Sequence, residues 1–159
     1  MSERQDLPLD GGCTCGSTRY RMTREPLIVH CCHCTWCQRG TGSAFVINAL
    51  VEADAVELLA GDTETVPVPT PSGKGQDIVR CARCRVALWS HYAGLGDKVC
   101  FVRVGTLDQP GRLPPDIHIY TDTMHDWVTL PETANVMPEY YDLKETWSEE
   151  SQARLRRLF

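Results

Sequence analysis

Seven of the nine cysteines in this chain fall into three tight clusters: Cys13-Thr14-Cys15, Cys32-His33-Cys34-Thr35-Trp36-Cys37 and Cys81-Ala82-Arg83-Cys84. Alternate residues of an extended segment point the same way, so Cys13 with Cys15, and Cys32 with Cys34, can each aim two sulfurs at one point. A Cys-x-x-Cys turn does the same by curling. Because the clusters lie far apart in the chain, a site joining Cys13 and Cys15 to Cys81 and Cys84 would pin an N-terminal hairpin to a mid-chain turn.

Metal explains these spacings better than disulfides do. Met1 to Asp10 mixes charges and lacks the apolar stretch of a signal peptide, and no run approaches the ~18 apolar residues of a membrane span. The expected location is therefore the cytoplasm, where thiols stay reduced and the odd count of nine cysteines leaves no pairing problem. The net charge of -5 argues against nucleic acid as a partner. Positive charge gathers only at Arg154, Arg156 and Arg157 and at Arg80, Arg83 and Arg85, without interleaved aromatics.

The 159 residues suit one domain, and ten Pro and twelve Gly spread along the chain predict many short elements joined by turns. Strands are predicted at 18–22, 27–29, 44–51, 56–59, 65–68, 77–79, 86–89, 99–104 and 117–120 from alternation and β-branched content. Residues 67–75 read as an exposed loop. Ser148 followed by Glu149 and Glu150, with arginines in the last turns, predicts a helix at the C-terminus. The chain thus reads as mainly β, with an N-terminal tail over 1–10, a zinc-binding domain over 11–147 and a helix over 148–159 packed on it.

Structural zinc takes four ligands, whereas catalytic zinc takes three protein ligands and keeps a position open. Seven cysteines divide accordingly: Cys13, Cys15, Cys81 and Cys84 as a closed site, and Cys32, Cys34 and Cys37 as a site with a vacancy. Other partitions stand, with Cys31, His30, His33 or one member of a cysteine pair completing the trio, and iron-sulfur ligation shares the same spacing. Cys31 neighbours Cys32 and His33 lies between two ligands, so both should face away from the trio in extended chain. Cys100, in an apolar run, reads as core. A thioredoxin-like redox pair is set aside because neither Cys-x-x-Cys is expected to follow a strand and open a helix within a βαβ unit.

Gly12-Cys13-Thr14-Cys15-Gly16, then Cys32-His33-Cys34-x-x-Cys37-Gln38-Arg39 with Gly42-Ser43 after it, then Cys81-x-x-Cys84, resembles the glutathione-dependent formaldehyde-activating enzyme family. The resemblance runs from about Gly11 to Leu88, with weaker features from Ile117 to Trp127. It implies an Mss4-like (β-tent) fold, a structural zinc on the four paired cysteines and a second zinc on Cys32, Cys34 and Cys37. It also implies a carbon-sulfur lyase activity that joins formaldehyde to glutathione as S-hydroxymethylglutathione. One departure is Arg85, where family members usually carry Gly. Either the turn there avoids positive φ or Arg85 adopts a strained conformation.

An open three-thiolate zinc can hold a thiol cosubstrate or polarise a small carbonyl. Cys32, Cys34 and Cys37 are therefore the expected catalytic centre, with a small-molecule thiol and an aldehyde as partners. Arg39 is a candidate for the anionic end of the thiol, Trp36 for a pocket wall, and His118, His125 and Asp126 for proton transfer. The rival reading is a zinc-stabilised module, with no catalysis, that binds a protein partner.

Overall fold

The computed structural model describes residues 7–159, and among these, ten strands form two sheets. The smaller sheet orders β1 (Leu9–Gly12), β2 (Arg19–Met22) and β5 (Val56–Ala60) side by side. The larger runs β10 (Ile117–Ile119), β3 (Ile28–Cys32), β4 (Val46–Glu52), β9 (Val99–Arg103), β8 (Ala87–Tyr92), β7 (Gln76–Cys81) and β6 (Thr63–Val68). Neighbours in it are antiparallel except β10 and β3. Three short α-helices and five single-turn 3₁₀ helices complete the described residues, the α-helices being α1 (Thr35–Thr41), α2 (Leu143–Thr146) and α3 (Glu149–Arg156).

Every residue of β3 is buried, because the strand is covered on both faces, and its alternation sorts the core into two halves. Val29 and Cys31 face one side, where Ala49, Val51, Cys100 and Val102 meet Leu9, Tyr20 and Met22 of the smaller sheet. Ile28, His30 and Cys32 face the other, where Leu50, Phe101, Ile117 and Ile119 pack under Tyr141 and Trp147 of the C-terminal segment. Burying both faces of so short a strand explains its unbroken apolar and cysteine content.

α3 is fixed by side chains as well as by its apolar contacts. Ser148 caps it, accepting from the Ser151 amide at 3.1 Å, and Ser151 Oγ donates to Leu27 O at 2.7 Å. Arg154 donates Nε and Nη2 to the two carboxylate oxygens of Glu52 at 2.8 and 2.6 Å and also donates to Glu25 O. Burial alone would raise the Glu52 carboxyl, but Arg154 overcomes it and holds the group below the usual carboxylate range.

The mainly β reading and the C-terminal helix agree with the structure. β1 begins at Leu9, inside the stretch expected to be a tail, while residues 1–6 of that stretch lie outside the described residues. The loop expected over 67–75 is shorter, since β6 continues to Val68. α1 and α2 were not expected, and α1 alters one argument: Cys34-x-x-Cys37 does follow a strand and does open a helix. What separates it from a βαβ redox unit is the antiparallel pairing of β3 with β4.

Candidate metal centres

Cys13 and Cys15 lie in the turn after β1, Cys81 ends β7 and Cys84 lies in the turn that follows it. The four sulfurs lie within 4.8 Å of one another. Around one tetrahedral zinc, thiolate sulfurs sit about 3.8 Å apart; here Cys13 and Cys15 are 3.4 Å apart, and Cys15 and Cys81 3.9 Å. Amide N–H groups of Thr18, Arg83 and Cys84 point at these sulfurs at 3.3 to 3.4 Å. Hydrogen bonds from Ser17 foremost, then from Thr18 and the Cys84 amide, hold Cys81 at about 5, so it carries thiolate at neutral pH. This chemistry fits a metal with four thiolate ligands.

The turn that carries Cys84 leaves Arg85 at φ 67, so of the two alternatives the strained one holds. Its carbonyl accepts from Arg80 Nη1 at 3.0 Å, and its guanidinium pairs with Glu64 on β6. Nearby, Gly61 meets Ser17 so closely that an added Cβ would lie 2.2 Å from its carbonyl oxygen. Only glycine lets β5 turn into β6 against the cysteine loop.

Cys32 ends β3, and Cys34 and Cys37 open α1; their sulfurs form a second group within 4.8 Å. Cys34 is the cap of α1, its sulfur accepting from the Cys37 amide at 3.3 Å. Without metal the three share their protons. Hydrogen bonds from Cys32, then Cys37, hold Cys34 far below the ordinary thiol value, and Cys32 is pushed up in return. Such a set takes a metal by losing its remaining thiol protons.

None of the alternatives for a fourth ligand joins this trio. Cys31 faces the opposite side of β3, paired across from Ile47. His33 also turns away, its Nε2 3.0 Å from His118 Nδ1, and it packs edge-on against Phe45. His30 shares the face of Cys32 but is enclosed by Phe101, Tyr140 and Tyr141, and burial lowers it to about 4. His33 and His118 are also held below the ordinary histidine value, by burial first.

The other expected site residues are not gathered here. Arg39 and Trp36 are exposed on α1, and His125 and Asp126 are exposed, with His125 stacked on Trp127. The groups that feel the trio's charge are Arg103, Tyr92, Tyr120 and Tyr140. Arg103, on β9, is half-buried and donates Nη1 to Asn48 Oδ1 at 2.6 Å, while its Nε is buried with no partner. Burial lowers its pKa, while Tyr92, then Cys37 and Cys32, favour its charge. No carboxylate among the described residues forms an ion pair with it. Tyr92 and Tyr120 are raised by burial and then by the thiolates, so both keep their protons. Tyr120 is held at φ 55, an unusual conformation for a bulky residue.

A cavity of about 450 Å³ opens at the C-terminal end of α1, lined by Thr41, Phe45, Ile47, Arg80, Val86 and Arg103 among others. Arg103 thus lies both on this cavity and within reach of the trio's charge. Neither it nor the tyrosines carried a sequence signal, because cross-strand register brings them in.

Fold and site together define a mainly β protein with two thiolate groups that could each hold a metal ion. The chain belongs to the glutathione-dependent formaldehyde-activating enzyme family, whose model matches residues 8–123. Among solved structures it is similar to a Rhodobacter sphaeroides protein at 16% identity and a TM-score of 0.45, covering 62% of this chain and 87% of that one. That likeness is too distant to carry function. No curated protein matches the chain. Among the described residues no helix is long and apolar enough to cross a membrane.

Proposed function

We propose that this chain is a zinc-dependent carbon-sulfur lyase that joins formaldehyde to a thiol such as glutathione. In this reading the fold is Mss4-like, a structural zinc sits on Cys13, Cys15, Cys81 and Cys84, and a functional zinc sits on Cys32, Cys34 and Cys37. The observation that carries it is the trio's composition: three cysteines converge while Cys31, His30 and His33 all stay out. A zinc held by three thiolates supplies Lewis acidity and one free coordination position.

The reaction adds a thiol sulfur to the aldehyde carbon, forming one C–S bond while the thiol proton ends on the former carbonyl oxygen. Tyr92 and Tyr120, kept protonated beside the thiolates, can donate a hydrogen bond to that oxygen as charge develops on it. Three thiolates and one divalent ion leave a net charge of about -1, which the half-buried guanidinium of Arg103 offsets. Arg103 and Arg80 also give the adjoining cavity two guanidiniums suited to a carboxylate of the thiol.

The test is adduct formation by the zinc-loaded protein, given formaldehyde with glutathione and with neutral thiols. Wild type is expected to exceed the spontaneous rate, and Cys34→Ala to lose the excess along with one zinc. Arg103→Met is expected to raise KM for glutathione about 10-fold or more, the scale of a lost charge-assisted pair, while affecting a neutral thiol less. Adduct formation at the spontaneous rate with every thiol would favour the non-catalytic binding module.

A further inference from the structure

Cys31, His33 and His118 form a ligand set that the lyase reading leaves unused. Alternation along β3 turns Cys31 away from Cys32, and His33 follows on the same side one step past the strand. The parallel pairing of β10 with β3 then sets His118 directly across from Cys31. One thiol and two imidazoles converge there, their ligand atoms all within 4.8 Å of one another. The trio and this set therefore occupy opposite faces of a single strand.

The local geometry is close to what a metal requires. Two imidazole nitrogens on one tetrahedral zinc sit about 3.3 Å apart, and His33 Nε2 and His118 Nδ1 are 3.0 Å apart. Binding would widen that separation by about 0.3 Å and turn each ring off the N···N line, so that both lone pairs meet at one ion. Cys31 and His33 are fully buried, while His118, on the edge strand of the larger sheet, is partly exposed and gives a path to solvent. His33 Nδ1, the nitrogen away from His118, is buried with no hydrogen-bond partner, so among the described residues the contact with His118 is what holds this buried ring at the site.

We propose that Cys31, His33 and His118 form a third metal site, separate from the two cysteine groups, for a divalent ion of the zinc type. A thiolate with two imidazoles is a donor set that suits zinc and its first-row neighbours. On binding, Cys31 releases its thiol proton to solvent. The proton lying between the two histidines moves to the outer nitrogen of the ring that carries it, leaving both imidazoles neutral and bound. Three protein ligands leave one position for water or an added donor.

Zinc loading followed by passage over a chelating resin and metal analysis tests this. Three zinc equivalents per chain are expected for wild type, and two for both Cys31→Ser and His118→Gln. Because Cys31 is buried, its replacement can perturb the core, so the partly exposed His118 provides the independent variant. Circular dichroism and the thermal midpoint verify its fold. In the cobalt-substituted protein, His118→Gln is expected to remove one cobalt equivalent while the sulfur-to-metal absorption of the two cysteine groups persists. Two equivalents in wild type, or three in folded His118→Gln, would overturn the third site.

Discussion

Arg85 shows how a single backbone angle records the demands of a cysteine turn. Its φ of 67 puts Cβ near the carbonyl at a cost of about 1–2 kcal/mol relative to glycine. The exposed pair it forms with Glu64 returns well under that. Arg85→Gly is therefore expected to raise the thermal midpoint by a few degrees without changing metal content, checked by melting of the zinc-loaded protein. His30 carries the opposite kind of strain. Burial lowers its pKa to about 4, whereas unfolded histidine titrates near 6.5. The unfolded chain thus binds the proton first, and stability present above pH 6.5 is lost as pH falls towards 4, by about 3 kcal/mol in all. His30→Phe, replacing an aromatic among aromatics, is expected to flatten this part of the pH dependence in denaturant unfolding. The grouping of seven cysteines into a four and a three was legible because spacing is a local property. Arg103 and Tyr92 were not, since their place follows from strand register, such as the pairing of Asn48 with Arg103, which no local spacing reveals.

Among the elements, α1 and β1 were the hardest to read and α3 the easiest. Thr-Trp-Cys-Gln-Arg-Gly-Thr has neither strong helix formers nor an apolar stripe. It is helical because Cys34 caps its start and Gly42, at φ 64, closes its end. β1, Leu-Asp-Gly-Gly, has weak strand propensity and is held by pairing with β2. α3 announced itself through capping and charge order, which are local, but its anchor was not visible. That anchor is the bidentate pair of Arg154 with Glu52 on β4. The arginine and glutamate side chains are only 16% and 7% exposed, so removing one partner strands a charge and is expected to cost about 3–5 kcal/mol. Arg154→Met should lower the midpoint of urea unfolding accordingly and speed exchange of the α3 amides. Unchanged stability and exchange would show that α3 is held by its apolar face alone.

For the whole molecule, two long-range ties organise what the strands build. The four-cysteine group joins the turn after β1 to the turn after β7, linking the smaller sheet to the far part of the larger one. The C-terminal segment, beyond the family match at residue 123, covers the face that holds the trio with Tyr141 and Trp147. On this account the four-cysteine group maintains the fold, and the trio, placed between β3 and α1 beside Arg103, does the chemistry. Zinc-edge anomalous diffraction from crystals soaked with glutathione tests that division most directly. Peaks are expected among Cys13, Cys15, Cys81 and Cys84 and among Cys32, Cys34 and Cys37, besides the one that the third site would add at Cys31, His33 and His118, with the glutathione sulfur about 2.3 Å from the zinc of the trio and not from that of the four-cysteine group. A trio without a peak, or one whose zinc is closed by a fourth side chain of the protein with no glutathione beside it, would contradict the account.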